Sequence, residues 1–137
     1  MRGIVEQIAR GLQALHRQEM LHQDLRPNNI MIDACGTAKI IDFGSVRVAG
    51  IADILPQQPI LGTMQYSAPE YFLGEAGTPP SDIFSLGVIV YQMLTGRQPY
   101  GVSVARATTP AAQRKLQYRS IQESERAIPD WVDSAIR

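Results

Sequence analysis

Cysteine is nearly absent from this chain. Of its 137 residues only Cys35 carries a thiol, so no intramolecular disulfide can form and cysteine-rich metal sites are excluded. A lone thiol fits a reducing compartment, and the expected location is cytoplasmic. Neither sign of charge is in excess: 13 Lys and Arg balance 13 Asp and Glu, for a formal net charge of zero. That balance argues against a nucleic-acid surface and against an acidic disordered tail. Long apolar runs are lacking too. The longest, Ile83 to Leu94, is interrupted by Ser85, Gly87 and Gln92 and is too short to span a bilayer. The opening "MRGIVEQIARG" has no continuous apolar core of the signal-peptide kind. There is no internal repeat and no low-complexity segment. What remains is an ordinary globular composition, 45% hydrophobic and 19% charged, in one domain's worth of chain.

The apolar spacing supplies the elements. Ile4, Ile8, Leu12 and Leu15 share one helical face, which predicts an amphipathic helix over residues 3–19. "NIMIDACGTAKIIDFG" reads as a hairpin: strand Ile30–Ile32, a turn at Cys35-Gly36, and strand Ala38–Ile41. Residues 45–61 hold two prolines and no period, which predicts a long loop, unusual in a compact domain unless it has a task. From Asp82 to Thr95 the chain is apolar on nearly every side, the pattern of a buried central helix, with Gly96 as its stop. Thr109-Pro110 opens a helix expected to run through Tyr118, and Pro129-Asp130 opens another.

One polar stretch stands out between these elements. "LHQDLRPNNIMID", residues 21–33, gathers His22, Asp24, Arg26, Asn28 and Asn29 ahead of an apolar strand. Asp, Asn and Pro are ordinary turn formers, so the residues alone admit a solvated turn as readily as a catalytic loop. The order of the motifs separates the two readings. "HQDLRPNN" is followed by "DFG" at 42–44, "GTMQYSAPE" at 62–70 and "SDIFSLGVIVYQMLTGRQPYG" at 81–101. This resembles the large lobe of eukaryotic-type serine/threonine protein kinases over nearly the whole chain, and four ordered motifs are far more specific than any one. The phrases "HQDLRPNNIMID", "IIDFGSVRVAGI" and "GTMQYSAPEYFLGE" are most similar to the kinase half of bacterial bifunctional kinase/phosphatase proteins.

The resemblance implies a fold and a set of roles. The fold is mainly α with a small β-hairpin: a kinase-like C-terminal lobe over residues 1–137, incomplete at both ends. ATP and magnesium are the implied cofactors, and a protein bearing Ser or Thr the implied partner, with a phosphatase domain fused elsewhere in the full-length protein. No nucleic acid and no membrane segment is expected. Asp24 would orient or deprotonate the substrate hydroxyl, and Arg26 would contact the transferring phosphoryl group. Asn29 and Asp42 would supply magnesium with oxygen ligands, and Met31 would lie beneath the adenine with Ile89 and Met93, though all three also suit an ordinary core. Thr63 would bond Asp24 and its basic neighbour, a mark of Ser/Thr specificity. His22 would pack by Phe43, and Asp82 would hold the backbone of the catalytic loop. Glu70 would pair with an arginine beyond the last helix.

The departures from the pattern matter as much. Gln23 stands where many of these kinases carry an arginine that reads a loop phosphate, and residues 46–61 hold no Ser, Thr or Tyr. Activation by phosphorylation of that loop is therefore not expected. Arg26 replaces the usual lysine with a planar, bulkier cation. The chain has no Gly-rich loop and no lysine in a strand of the V-A-I-K type, so it is expected to be a fragment of a longer kinase with negligible activity alone. A second reading, from another class, is a non-catalytic pseudokinase or binding module. Gln23 and Arg26 favour it; the survival of Asp24, Asn29 and Asp42 opposes it.

Overall fold

The computed structural model describes residues 2–48, 64–124 and 127–136. Thr63 and residues 49–61 of the expected long loop lie outside these residues. Helix α1, Arg2–Arg17, buries Ile8 and Leu12 as its spacing requires, with Ile4 half-buried beside them. It ends two residues before the expected boundary because Glu19 adopts a left-handed conformation (φ 57°), and the amides of Gln18 and Glu19 bond back to Leu15 and His16. Strand β1, Met20–Leu21, follows at once.

A single 3₁₀ turn, Pro27–Asn29, leads into strand β2, Ile30–Ile32, which pairs antiparallel with β3, Ala38–Ile40. The hairpin turn is tied by Asp33, whose Oδ1 accepts from the amides of Cys35 and Thr37, both at 2.9 Å. Gly36 takes the positive φ (80°) that the turn demands. The backbone amide of Thr37 acts first in holding the Asp33 carboxyl below the usual carboxylate range. Ile30, Ala38 and Ile40 pack on the core of Ile8, Leu12, Leu25, Leu86 and Ile89. At Gly11 a methyl group would come within 3.0 Å of the Ile40 side chain, so the helix lies directly against the hairpin.

The segment expected to be loop from Ser45 onward begins instead with a short strand, β4, Arg47–Val48. It pairs with β1 in the register Met20↔Val48, Leu21↔Arg47. Two-residue strands are too short to show a period of two, and only the tertiary pairing makes them strands.

Helix α2, Pro79–Thr95, is the centre of the fold. Leu86 and Ile89 belong to the first core; Tyr91 and Leu94 belong to a second, with Ile121. It starts three residues earlier than its apolar run, at two prolines that need no helical amide partner. Ser81 Oγ accepts the Thr78 amide at 2.8 Å and donates to Glu70 Oε1 at 2.5 Å, so the helix start also anchors the 3₁₀ turn Pro69–Leu73. Gly96 closes the helix at φ 70°.

Helix α3, Ser103–Arg106, is short, and α4, Pro110–Gln113, stops well before Tyr118. Tertiary contacts override the helical pattern there. Gln113 Nε2 donates to Pro69 O and Ala107 O, the Arg119 amide donates to Pro99 O at 3.0 Å, and Tyr118 packs edge-on against Tyr91 and Tyr100. These demands require extended chain. A 3₁₀ turn, Ile121–Glu123, and helix α5, Asp130–Ile136, complete the second core through Val132 and Ile136. Among the described residues no helix is long and apolar enough to cross a membrane.

Candidate functional site

The polar loop is not a solvated turn. His22, Asp24, Leu25 and Asn29 are all buried, His22 completely. The loop is clamped at one end by the β1–β4 pair and at the other by the 3₁₀ turn and hairpin. Between the clamps it is held from α2 by one carboxylate. Asp82, 1% exposed, accepts the His22 amide at Oδ2 and the Gln23 amide at Oδ1, each at 2.9 Å. Gln23 sits at φ 64°, a conformation a non-glycine residue rarely holds unaided, and its bond to Asp82 is one of the contacts that fix it.

This arrangement brings Asp24 and Asn29 together. Asn29 Nδ2 donates to the Asp24 carbonyl at 2.8 Å and to Asp24 Oδ2 at 3.1 Å. Arg26 Nε lies 3.5 Å from the same Oδ2. Asp24 Oδ1 is buried and has no hydrogen-bond partner among the described residues. The carboxylate is thus gripped at one oxygen and bare at the other. A buried acceptor without a donor is costly in a finished fold, and such atoms concentrate where a ligand supplies the missing bond.

Asp42 joins from the hairpin side. The Ile41 amide bonds to Asn29 O at 2.9 Å, which sets Asp42 one residue beyond the rung that carries Asn29. Asp42 is exposed, takes φ 63°, and accepts the Gly44 amide at 3.2 Å. His22 meets Phe43 edge-on with ring centroids 5.8 Å apart, and its Nε2 lies 3.4 Å from Ile41 O. The expected packing of His22 on Phe43 is therefore present.

Met31 departs from the core alternative. Its side chain is 59% exposed, whereas Ile89 is buried and Met93 packs half-buried against the same core. Ile30 packs on the core, whereas Met31, paired with Lys39, and Ile32 are both exposed. Thr63 lies outside the described residues. Glu70 accepts from Ser81 Oγ.

Sequence reasoning passed over His16. Its Nε2 lies 2.9 Å from Asp82 Oδ2, with only 16% of the side chain exposed. A histidine in a last helical turn is ordinarily read as a partner of the helix dipole, which hides this contact. The segment at 66–70 is also fastened to α2 by pairs no motif spelled out: Tyr66 Oη to Gln92 Oε1 at 2.7 Å, and Ser85 Oγ to Tyr66 O at 2.7 Å.

Comparison with known proteins gives a consistent result. The family model described as "Protein kinase domain" matches residues 1–135. The chain is 43% identical over 108 residues to the serine/threonine-protein kinase PknA of Corynebacterium glutamicum, covering 76% of this chain and 23% of that protein. It is 36% identical over 120 residues to PrkC of Bacillus subtilis, covering 82% and 18%. With PknA of Mycobacterium tuberculosis it shares 39% over 97 residues, covering 71% and 22%. The chain therefore spans less than a quarter of the length of each of these relatives. With the buried Asp24–Asn29 pair, the hairpin that carries Asp42, and a family match over nearly its whole length, this chain belongs to the protein kinase domain family.

Proposed function

We propose that residues 21–44 are the catalytic side of a serine/threonine protein kinase, which transfers the γ-phosphoryl group of ATP to a Ser or Thr hydroxyl of a protein. The observation that carries this reading is the half-gripped Asp24 carboxylate. Phosphoryl transfer asks a protein for positioning and for charge neutralisation rather than for covalent chemistry. Asp24 Oδ1 is the free acceptor for a substrate hydroxyl proton, while Asn29 and Arg26 keep the carboxylate from turning. Arg26, 3.5 Å from Asp24 Oδ2, faces the transferring group beside Asp24.

The donor set suits magnesium. With its Nδ2 spent on Asp24, Asn29 has its amide oxygen left to offer, and exposed Asp42 offers a carboxylate. Hard oxygens in small number are what magnesium takes from a protein when phosphates complete its shell. When bound, the ion offsets the negative charge of the ATP phosphates. Exposed Met31 on the outer face of the hairpin supports its reading as an apolar floor for the adenine. The roles of Thr63 and of a fused phosphatase domain rest on the sequence resemblance alone, as does the assignment of residues 1–137 to the large lobe.

These residues hold no Gly-rich loop and no lysine in a strand of the V-A-I-K type, so we place the other wall of the nucleotide site outside them. The test joins the chain to an ATP-covering lobe and follows radiolabelled phosphate into a protein substrate. Asp24→Asn should lower transfer by about 10²–10⁴-fold with the fold intact by circular dichroism. Undiminished transfer would remove Asp24 from the chemistry. The 137 residues alone should transfer nothing measurable, and Asp24-dependent transfer by them would overturn that part.

A further inference from the structure

The kinase reading leaves one surface unused. Between Asp82 and Glu123 the sequence has no acidic residue, yet it carries Arg97, Arg106, Arg114, Lys115 and Arg119. All five are exposed, and none belongs to an ion pair among the described residues. A chain of zero net charge thus concentrates five cations on the stretch that follows α2.

The same stretch encloses a half-open cavity of about 220 Å³ lined by Pro69, Phe84, Tyr100, Val104, Gln113 and Leu116. The cations lie next to its lining residues along the chain. Gln113 and Leu116 bracket Arg114 and Lys115, Val104 lies two residues before Arg106, and Arg119 is bonded through its amide to the carbonyl of Pro99, next to Tyr100. At the Arg97–Arg119 end the charge is partly offset, since Glu123 and Asp133 act on the Tyr91 phenol together with both arginines. Arg106, Arg114 and Lys115 therefore carry the argument. The cavity is also linked to the segment after the loop: Gln113 Nε2 donates to Pro69 O at 2.6 Å.

We propose that this surface docks an acidic segment of the protein substrate, seating one apolar side chain in the cavity and its carboxylates against Arg106, Arg114 and Lys115. Naming the occupant a substrate rests on the kinase reading; the docking itself does not. The volume suits one aliphatic or aromatic side chain. Phe84 and Tyr100 stack on each other at 6.2 Å and 13°, so these rings are engaged with each other rather than set out as platforms for successive nucleic-acid bases. Exposed cations of this kind steer an anionic partner and fix its register more than they add affinity, so the contact should weaken with salt.

Fluorescence anisotropy reads the docking without catalysis, using the chain and a fluorescein-labelled peptide of Glu, Asp and Ser around a single Leu. Saturable, salt-sensitive binding is expected. The pair Arg114→Glu and Lys115→Glu should weaken it by about tenfold, as should Leu→Ser in the peptide by a smaller factor, with unchanged melting of the protein. Arg10→Glu, on helix α1, which lends no residue to the cavity lining, should leave binding as it was. Equal binding by the charge-reversed protein overturns the proposal, as does tighter binding of a single-stranded oligonucleotide or of phosphatidylserine vesicles. In a complete kinase domain the two readings come apart. Peptide binding without phosphate transfer would sink the catalytic reading alone, whereas transfer whose KM ignores the charge reversal would sink the docking alone.

Discussion

At the scale of single residues, Asp82 does more for the site than any residue inside it. Its two oxygens serve the amides of His22 and Gln23 and the ring of His16, all from a position 1% exposed. Asp82→Ala leaves two buried amides and a histidine without their acceptor, and it should cost about 3–5 kcal/mol in urea unfolding. A loss under 1 kcal/mol would show that the loop holds its shape without it. His16→Gln keeps a donor within reach and should cost less than His16→Phe, for which about 1–3 kcal/mol is expected. The sequence made Asp24, Asn29 and Asp42 legible because motif order ties them together. His16 was illegible because its partner lies 66 positions away and nothing local marks the pair.

At the scale of elements, local propensity decides where the chain has one reason to fold and fails where it has two. Helix α1 and the β2–β3 hairpin follow from apolar period and turn chemistry, and both lie where the spacing puts them. Helix α4 fails after Gln113 because that side chain, Tyr118 and the Arg119 amide each have a distant partner. The start of α2 was hidden by Pro79 and Pro80, which read as loop yet serve as its first turn. Ser81→Ala removes both the acceptor for the Thr78 amide and the donor to Glu70. We expect a loss of about 1–2 kcal/mol, read by thermal or urea unfolding. Leu12→Ala, at 0% exposure between α1 and the core, should cost about 2–5 kcal/mol and sets the scale for comparison.

At the scale of the whole molecule, its tyrosines set the alkaline limit. Burial is the first cause that pushes the Tyr71 phenol up to about 12, and burial likewise raises Tyr118 and Tyr91. Above a pH of about 10 the unfolded chain loses phenolic protons that the folded chain retains. The unfolded state then binds fewer protons, so stability is complete below about pH 10 and falls as pH rises from there through the folded value of Tyr71. The melting temperature should fall over that window, and Tyr71→Phe should flatten part of the slope. A melting temperature constant to about pH 11.5 would contradict the burial of these phenols. At the acid side Asp33 acts in the opposite sense: its contribution is present above about pH 4 and is lost as its lowered carboxyl protonates.

The reach of Asp82 across three segments has a consequence in time as well as in energy. Loop amides ordinarily exchange their hydrogens with water within the lifetime of small local openings. The amides of His22 and Gln23 belong to a loop by geometry, yet their acceptor sits in the central helix and is shared with the end of α1. Freeing either amide by that route means parting the loop from α2, the helix that carries both cores. Their deuterium uptake should therefore track the amides of Leu86 and Ile89 rather than those of the neighbouring turn at Cys35-Gly36. The loop would then keep the clock of the core, and uptake within seconds would show instead that it opens by itself.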